Sequence, residues 1–286
     1  MPSQLLTSII DGLLLGSVYG VAAMGLTLIW GVMNVINLAH GPIMALGMFG
    51  VYLLFATLGM NPYLGLGLTA VFGFVLGVVI YYVAVQRIIN APHLSSLLST
   101  YAVSMIIIGL GTAFFTTSPR NVDFSLGTFT LGALSIPGTR IMGAVAAFLV
   151  AGVLWLFLNQ TRPGKAIRAV ANNRAAAELM GIPSNRVLAL AFGLGTLLAT
   201  TAGGLIATFF PFTILSGGSY ELKSFVIGVL GGLGNPIGAL LAGLILGLFE
   251  GVIPLFMPVS WVPVVEFLLF VLILVLLPNG IFGGRR

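Results

Sequence analysis

Apolar residues run along the chain in stretches of about twenty, separated by short clusters of Gly, Pro, Asn and charged residues. The runs lack the strict alternation of barrel strands, so they predict helices. A helix needs roughly 20 mainly apolar residues to cross the ~30 Å hydrocarbon layer of a bilayer. Runs that qualify lie at about 5–31, 41–59, 62–85, 94–116, 141–159, 187–210, 236–253 and 260–278. A further piece, Phe225 to Leu233, is too short to cross alone. The expectation is an all-α polytopic membrane bundle of about eight spans plus a short re-entrant or broken helix. It forms a single domain over residues 1–286.

Two places interrupt the apolar pattern at membrane depth. In "WGVMNVINLAHGPIMALGMFG", Trp30 to Gly50, the polar Asn34, Asn37 and His40 precede Gly41-Pro42. In "GVLGGLGNPIGALLAGLILGLFEG", Gly228 to Gly251, three glycines and Asn235-Pro236 break the helix, since Pro lacks a backbone donor and Gly is a poor helix former. The two share a local pattern, "GPIMAL" at 41–46 and "NPIGAL" at 235–240. Broken backbone survives there only where protein or a wet cavity satisfies it, and matching breaks in two halves of a carrier point to a path or gate. Asn37, His40 and Gly41, with Gly232, Gly234 and Asn235, are the candidates. Close helix contact is the competing role for each glycine, as for the faces Gly73-Gly77 and Gly243-Gly247-Gly251.

Composition agrees with a membrane solvent. Charged residues are 6% and apolar ones 59% of the 286 residues, against about 25% and 45–50% in soluble domains. With no cysteine and two histidines, thiolate metal sites and Cys nucleophiles are excluded and a metal centre is not expected. No catalytic pair or triad is present. His40 lies in the first break, and His93 follows Ala91-Pro92 in a loop where solvation is expected. Of the acids in apolar runs, Asp11 and Glu250 lie near span ends and Glu266 lies deep; an intramembrane acid carries a functional hypothesis.

Charge is unevenly placed. Thr161 to Arg186, "TRPGKAIRAVANNRAAAELMGIPSNR", holds five of the eleven Lys and Arg against one acid, Glu178. By the positive-inside rule this loop is cytoplasmic. Counting back puts Arg87 inside, Thr117 to Arg140 outside and the N-terminus outside. Counting forward puts Pro211 to Glu221 outside, and Arg285–Arg286 inside if the short piece dips in and span 236–253 returns. The loop itself reads as two short capped helices: Thr161 caps and Pro163 starts the first, Asn172-Asn173 caps the second, and Gly181 then Pro183 end it. Ser184 is placed to cap the next span. Lys165, Arg168 and Asn172 share one face of the first helix; Ile167, Val170 and Ala171 share another. Such a knob is shaped to dock on another protein; the alternative is that it lies on anionic lipid.

The run "TRPGKAIRAVANNRAAAELMGI" followed by "GVLGGLGNPIGALLAGLILGLFEG" resembles the permease subunits of branched-chain amino acid ABC importers, the Liv-type family. "GVMNVINLAHGPIMALG" is similar to that family's Asn-x-Ala-His-Gly signature, and "LPNGIFGG" to its C-terminal Pro-x-Gly-x-x-Gly. The H-type permeases are the closer match. "AAAELMG" resembles the coupling signature E-A-A-x-x-x-G, with Ala175 in place of the Glu.

The resemblance implies a subunit of a bacterial-type inner membrane that carries branched-chain or similar hydrophobic amino acids by alternating access. It implies a second related permease, two cytoplasmic ATPases and an extracytoplasmic solute-binding protein as partners, and no nucleic acid. No cofactor is expected on this chain, with ATP and Mg on the ATPases. The chain has no GxxxxGK[ST] phosphate loop, since Gly164-Lys165 is followed by Ala166. Arg162, Lys165, Arg168, Arg174, Glu178 and Gly181 are then the ATPase-coupling candidates. The alternatives are a related importer for urea, amides or sugars, and a self-sufficient carrier depending on Glu266.

Overall fold

A computed structural model describes residues 2–89, 91–131, 134–277 and 279–283. The longest helix, α1 (Pro2–Met33), has 32 residues and is therefore about 48 Å long. It ends where Asn34 takes a left-handed backbone, φ 53°, a conformation Asn tolerates better than most residues. Then come α2 (His40–Leu58), α3 (Pro62–Ile80), which continues through one wide π-turn to Val85, and α4 (His93–Phe115). The loop after α4 holds a hairpin absent from the sequence expectation, β1 (Thr128–Leu131) and β2 (Leu134–Pro137), with Thr128 opposite Pro137. Next are α5 (Gly138–Gln160), α6 (Arg162–Asn172), α7 (Arg174–Leu179), α8 (Ser184–Ala207), α9 (Gly217–Leu230), α10 (Pro236–Val252) and α11 (Val262–Leu276).

Eight of these helical stretches are long and apolar enough to cross a membrane among the described residues, within a few residues of the sequence-based spans. Their outer faces are greasy: Leu64, Leu68, Val75 and Val79 of α3 are all exposed. Lipid rather than water is the solvent these faces fit.

Helices α1 and α8 form the buried centre, and glycine sets how close their neighbours come. A β-carbon on Gly16 would lie 2.5 Å from the Gly243 carbonyl oxygen, and one on Gly247 would lie 2.3 Å from that of Gly12. The face Gly243-Gly247-Gly251 is thus the seam on which α10 packs antiparallel to α1. Gly73 and Gly77 of α3 likewise rest on Thr200 and Thr196 of α8.

Helix α9 begins two turns before the apolar piece expected from Phe225. Its first turns carry Tyr220, Glu221 and Lys223, which an apolar-run criterion rejects but which find partners inside the bundle. Gly217 to Glu221 is consequently not part of an external loop: Gly217 and Glu221 pack on Gly41. The helix runs alongside α1 in the same direction, with Tyr220 beside Tyr19 and Gly228 beside Thr27. Helix α10 returns, from Gly234 near Gly31 to Gly251 near Ser8. The segment after α11 folds onto the α9–α10 turn, where Ile281 N–H donates to the Leu230 carbonyl at 2.7 Å. We call the end carrying α6 and α7 the knob end and the other, with β1 and β2, the hairpin end.

Candidate functional site

The knob forms from local signals. The Thr161 hydroxyl accepts from Gly164 N–H at 3.1 Å with Pro163 in the first turn, and the Asn173 side chain accepts from Ala176 N–H at 2.9 Å. Gly181 ends the second helix at φ 79°, the left-handed position expected of it. Ser184 does not cap α8. Pro183 holds the cap position and its carbonyl accepts from Arg186 and Val187, so Ser184 is already in the helix and its hydroxyl is buried without a hydrogen-bond partner.

The apolar ridge of α6 faces inward. Ile167 and Val170 are 1% and 2% exposed. A β-carbon on Gly164 would lie 2.1 Å from the Phe157 carbonyl oxygen, so α6 lies tightly on α5. Arg168 donates to Asn159 of α5 at 2.9 Å. What the knob offers outward is therefore the tip of α7: Leu179 and Met180 are 89% and 82% exposed. Arg162, Lys165 and Arg168 are exposed around it, and Arg174 pairs with Glu178 at 3.1 Å across one helical turn. All six coupling candidates thus belong to one projecting unit fixed between α5 and α8.

The two breaks are set at different depths. His40 is wholly buried, with Nε2 3.0 Å from the Ala22 carbonyl; that nitrogen carries the proton, and Nδ1 has no hydrogen-bond partner. Asn37, 1% exposed, accepts from Ala39 N–H at 3.2 Å. Gly41 meets Gly217 backbone to backbone. Gly232 and Gly234 take φ 86° and 88°, and Asn235 both caps α10, accepting from Gly238 N–H at 3.1 Å, and donates to the Phe282 carbonyl at 3.1 Å. That second turn sits at the knob end beside Gly31, whereas His40 sits at Ala22, roughly 13 Å further along α1. Helix α1 connects the breaks without joining them into one pocket. The side chain of His93, the other histidine considered from the sequence, lies outside the described residues, as does the Arg285–Arg286 tail.

One constellation was not foreseen. At the hairpin end, Asp11 of α1 pairs with Arg140 of α5, and Lys223 of α9 pairs with Glu250 of α10 and, at 3.6 Å, with Glu266 of α11. Tyr19 donates to Glu250 at 3.2 Å, and Lys223 lies 4.9 Å from the centre of its ring. Arg140 lies 5.5 Å from the Phe210 ring centre. The first four charges line a cavity of about 480 Å³. A signal did exist in the sequence. Three acids in apolar runs need cations, and Arg140 and Lys223 are the two basic residues that border such runs outside the inside loops.

A family model described as "Branched-chain amino acid transport system / permease component" matches residues 8–276. The chain is 32% identical to the high-affinity branched-chain amino acid transport system permease protein LivH of Escherichia coli K12, over 97% of this chain and 95% of that protein. It is 29% identical to the corresponding protein BraD of Pseudomonas aeruginosa, over the same shares of the two chains. The ribose import permease protein RbsC of Escherichia coli K12 is 31% identical over 75% of this chain and 67% of its own.

Proposed function

This chain belongs to the branched-chain amino acid transport permease family, and from that premise we propose that it is the membrane-spanning subunit of an ATP-driven importer of branched-chain or similar hydrophobic amino acids. The observation that carries the mechanism is the projecting knob. Its apolar tip is exposed to a degree that a finished surface does not need, and its base is welded to α5 and α8 by buried contacts. A push on Leu179 and Met180 therefore moves two spans as a rigid body.

In this reading the knob end faces the cytoplasm of a bacterial-type inner membrane and docks on one of two ATPases, which hold ATP and Mg. Arg162, Lys165, Arg168, Arg174 and Glu178 contact that partner, and Gly181 fixes the angle of the tip. A second related permease completes the path, and an extracytoplasmic binding protein delivers solute at the hairpin end, with the N-terminus outside. Asn37, His40 and Gly41, and Gly232, Gly234 and Asn235, form the substrate path or its gate.

The test is ATP-driven uptake of labelled leucine into vesicles holding this chain, its candidate partner permease, ATPases and binding protein. Replacing Leu179 and Met180 by Asp touches no buried contact and leaves insertion intact, yet should lower uptake by at least on the order of tenfold, the effect of removing an interface anchor. Uptake that needs no ATPase, or that ignores the substitution, overturns the reading. The similarity to the ribose permease supports a second solute class, and excess ribose in the same assay separates the two: leucine uptake should be unchanged.

A further inference from the structure

The five charges at the hairpin end do more than neutralise one another. Asp11, Glu250 and Glu266 face only Arg140 and Lys223 within the cluster, so one acid is in excess. One carboxylate oxygen there, Asp11 Oδ1, is buried without a hydrogen-bond partner, whereas Glu266 Oε1 faces Lys223 at 3.6 Å. Native structures rarely leave such groups unused, because each carries a desolvation penalty. A guanidinium has five N–H donors, more than the single oxygen of Asp11 beside Arg140 can take. Spare acceptor and spare donor thus sit side by side at the wall of the same cavity. That wall continues in apolar side chains, including Leu15 and Val262, each 5% exposed, and Phe210 under the guanidinium.

We propose that this cavity is a binding site for the zwitterionic head of an α-amino acid, with the carboxylate on Arg140, the ammonium on Asp11, and the aliphatic side chain against Leu15, Phe210 and Val262. The proposal rests on the importer reading and names a place on this chain where its solute first binds. A cavity of about 480 Å³ is of ligand size and has the usual make-up of a mostly apolar wall with a few convergent polar groups. The Lys223–Glu250 pair also lines the cavity and ties α9, the helix that touches Gly41, to the site. Occupancy and the first break are therefore linked through one rigid element.

The chain has no cysteine, so a single Val259→Cys on the cavity wall gives a clean reporter. Its modification by a maleimide is followed in membranes from cells expressing the full chain with its partner subunits. With a Kd near 1 mM, leucine at about 10 mM should slow modification roughly tenfold. At the same concentration 3-methylbutylamine, which lacks the carboxylate, and 4-methylpentanoate, which lacks the ammonium, should leave the rate nearly unchanged. Asp11→Asn and Arg140→Gln, each in the reporter background, should abolish the leucine effect. Absence of protection by leucine, or equal protection by the amine or the acid, overturns the site, and neither result depends on a charge variant that could misfold. ATP-driven leucine uptake in the same membranes separates the two ideas. Uptake without protection sinks this site alone, and protection without uptake supports the site while sinking the importer reading.

Discussion

Gly203 stands where α8 touches α2, and a β-carbon there would lie 2.0 Å from the Met44 carbonyl oxygen. The obstacle is backbone, so no side chain can turn aside and the helices must part. Gly203→Ala should cost about 1–3 kcal/mol, the usual range for overpacking, and appear as a lower unfolding temperature of the detergent-solubilised protein. Gly109→Ala is the internal control, because nothing lies within 4 Å of a β-carbon at that position. With only helix propensity at stake, it should leave stability unchanged or raise it by up to about 1 kcal/mol. Equal losses for both would show that the α2–α8 seam is not where glycine matters. The sequence shows each glycine and its spacing, but the role of Gly203 depends on Met44, which the chain brings to it only on folding. Gly181 is different: its left-handed turn follows from Gly-x-Pro alone and was legible at once.

The β1–β2 hairpin was not foreseen at all, and among the helices α9 was the least legible. An apolar criterion finds Phe225 to Leu233 and stops, because Lys223 and Glu221 look like the edge of a loop. Tertiary pairing overrides that signal: Lys223 is a helix residue because Glu250 and Glu266 await it on α10 and α11. The knob, by contrast, was readable in detail, since its caps lie within three residues of the groups they satisfy. Two details were missed: Ser184 does not cap α8, and periodicity defines an apolar ridge without saying what it lies on. Lys223→Met should cost about 3–5 kcal/mol, as expected when one partner of a buried ion pair is removed and the other charge is stranded. Adding Glu250→Gln and Glu266→Gln to Lys223→Met should recover most of that loss in a thermal unfolding assay. Failure of the triple variant to recover would mean that Lys223 acts through packing on Tyr19 rather than through its charge.

At the scale of the whole molecule the two ends are unlike. One carries a basic projecting knob and the other a charged cavity and a short hairpin, and α1 runs between them touching both breaks. The proposed importer needs this polarity, since its energy and its solute would arrive from opposite sides. The positive-inside count assigns the knob end to the cytoplasm, because five of the eleven basic residues lie in that loop. Arg120 and Arg140 run against the rule, and the structure gives a reason for Arg140: it is a partner for Asp11, not a free charge for the rule to count. Single cysteines at the exposed Ser125 in the hairpin loop and Ala175 in the knob test the assignment in the otherwise cysteine-free chain. A membrane-impermeant maleimide added to intact cells should label Ser125→Cys and leave Ala175→Cys untouched until the membrane is opened. The reverse pattern would invert the chain and move ATPase docking to the hairpin end. Labelling of both from outside would mean that α5 does not cross the membrane, and no force applied at the knob could then reach the cavity through that helix.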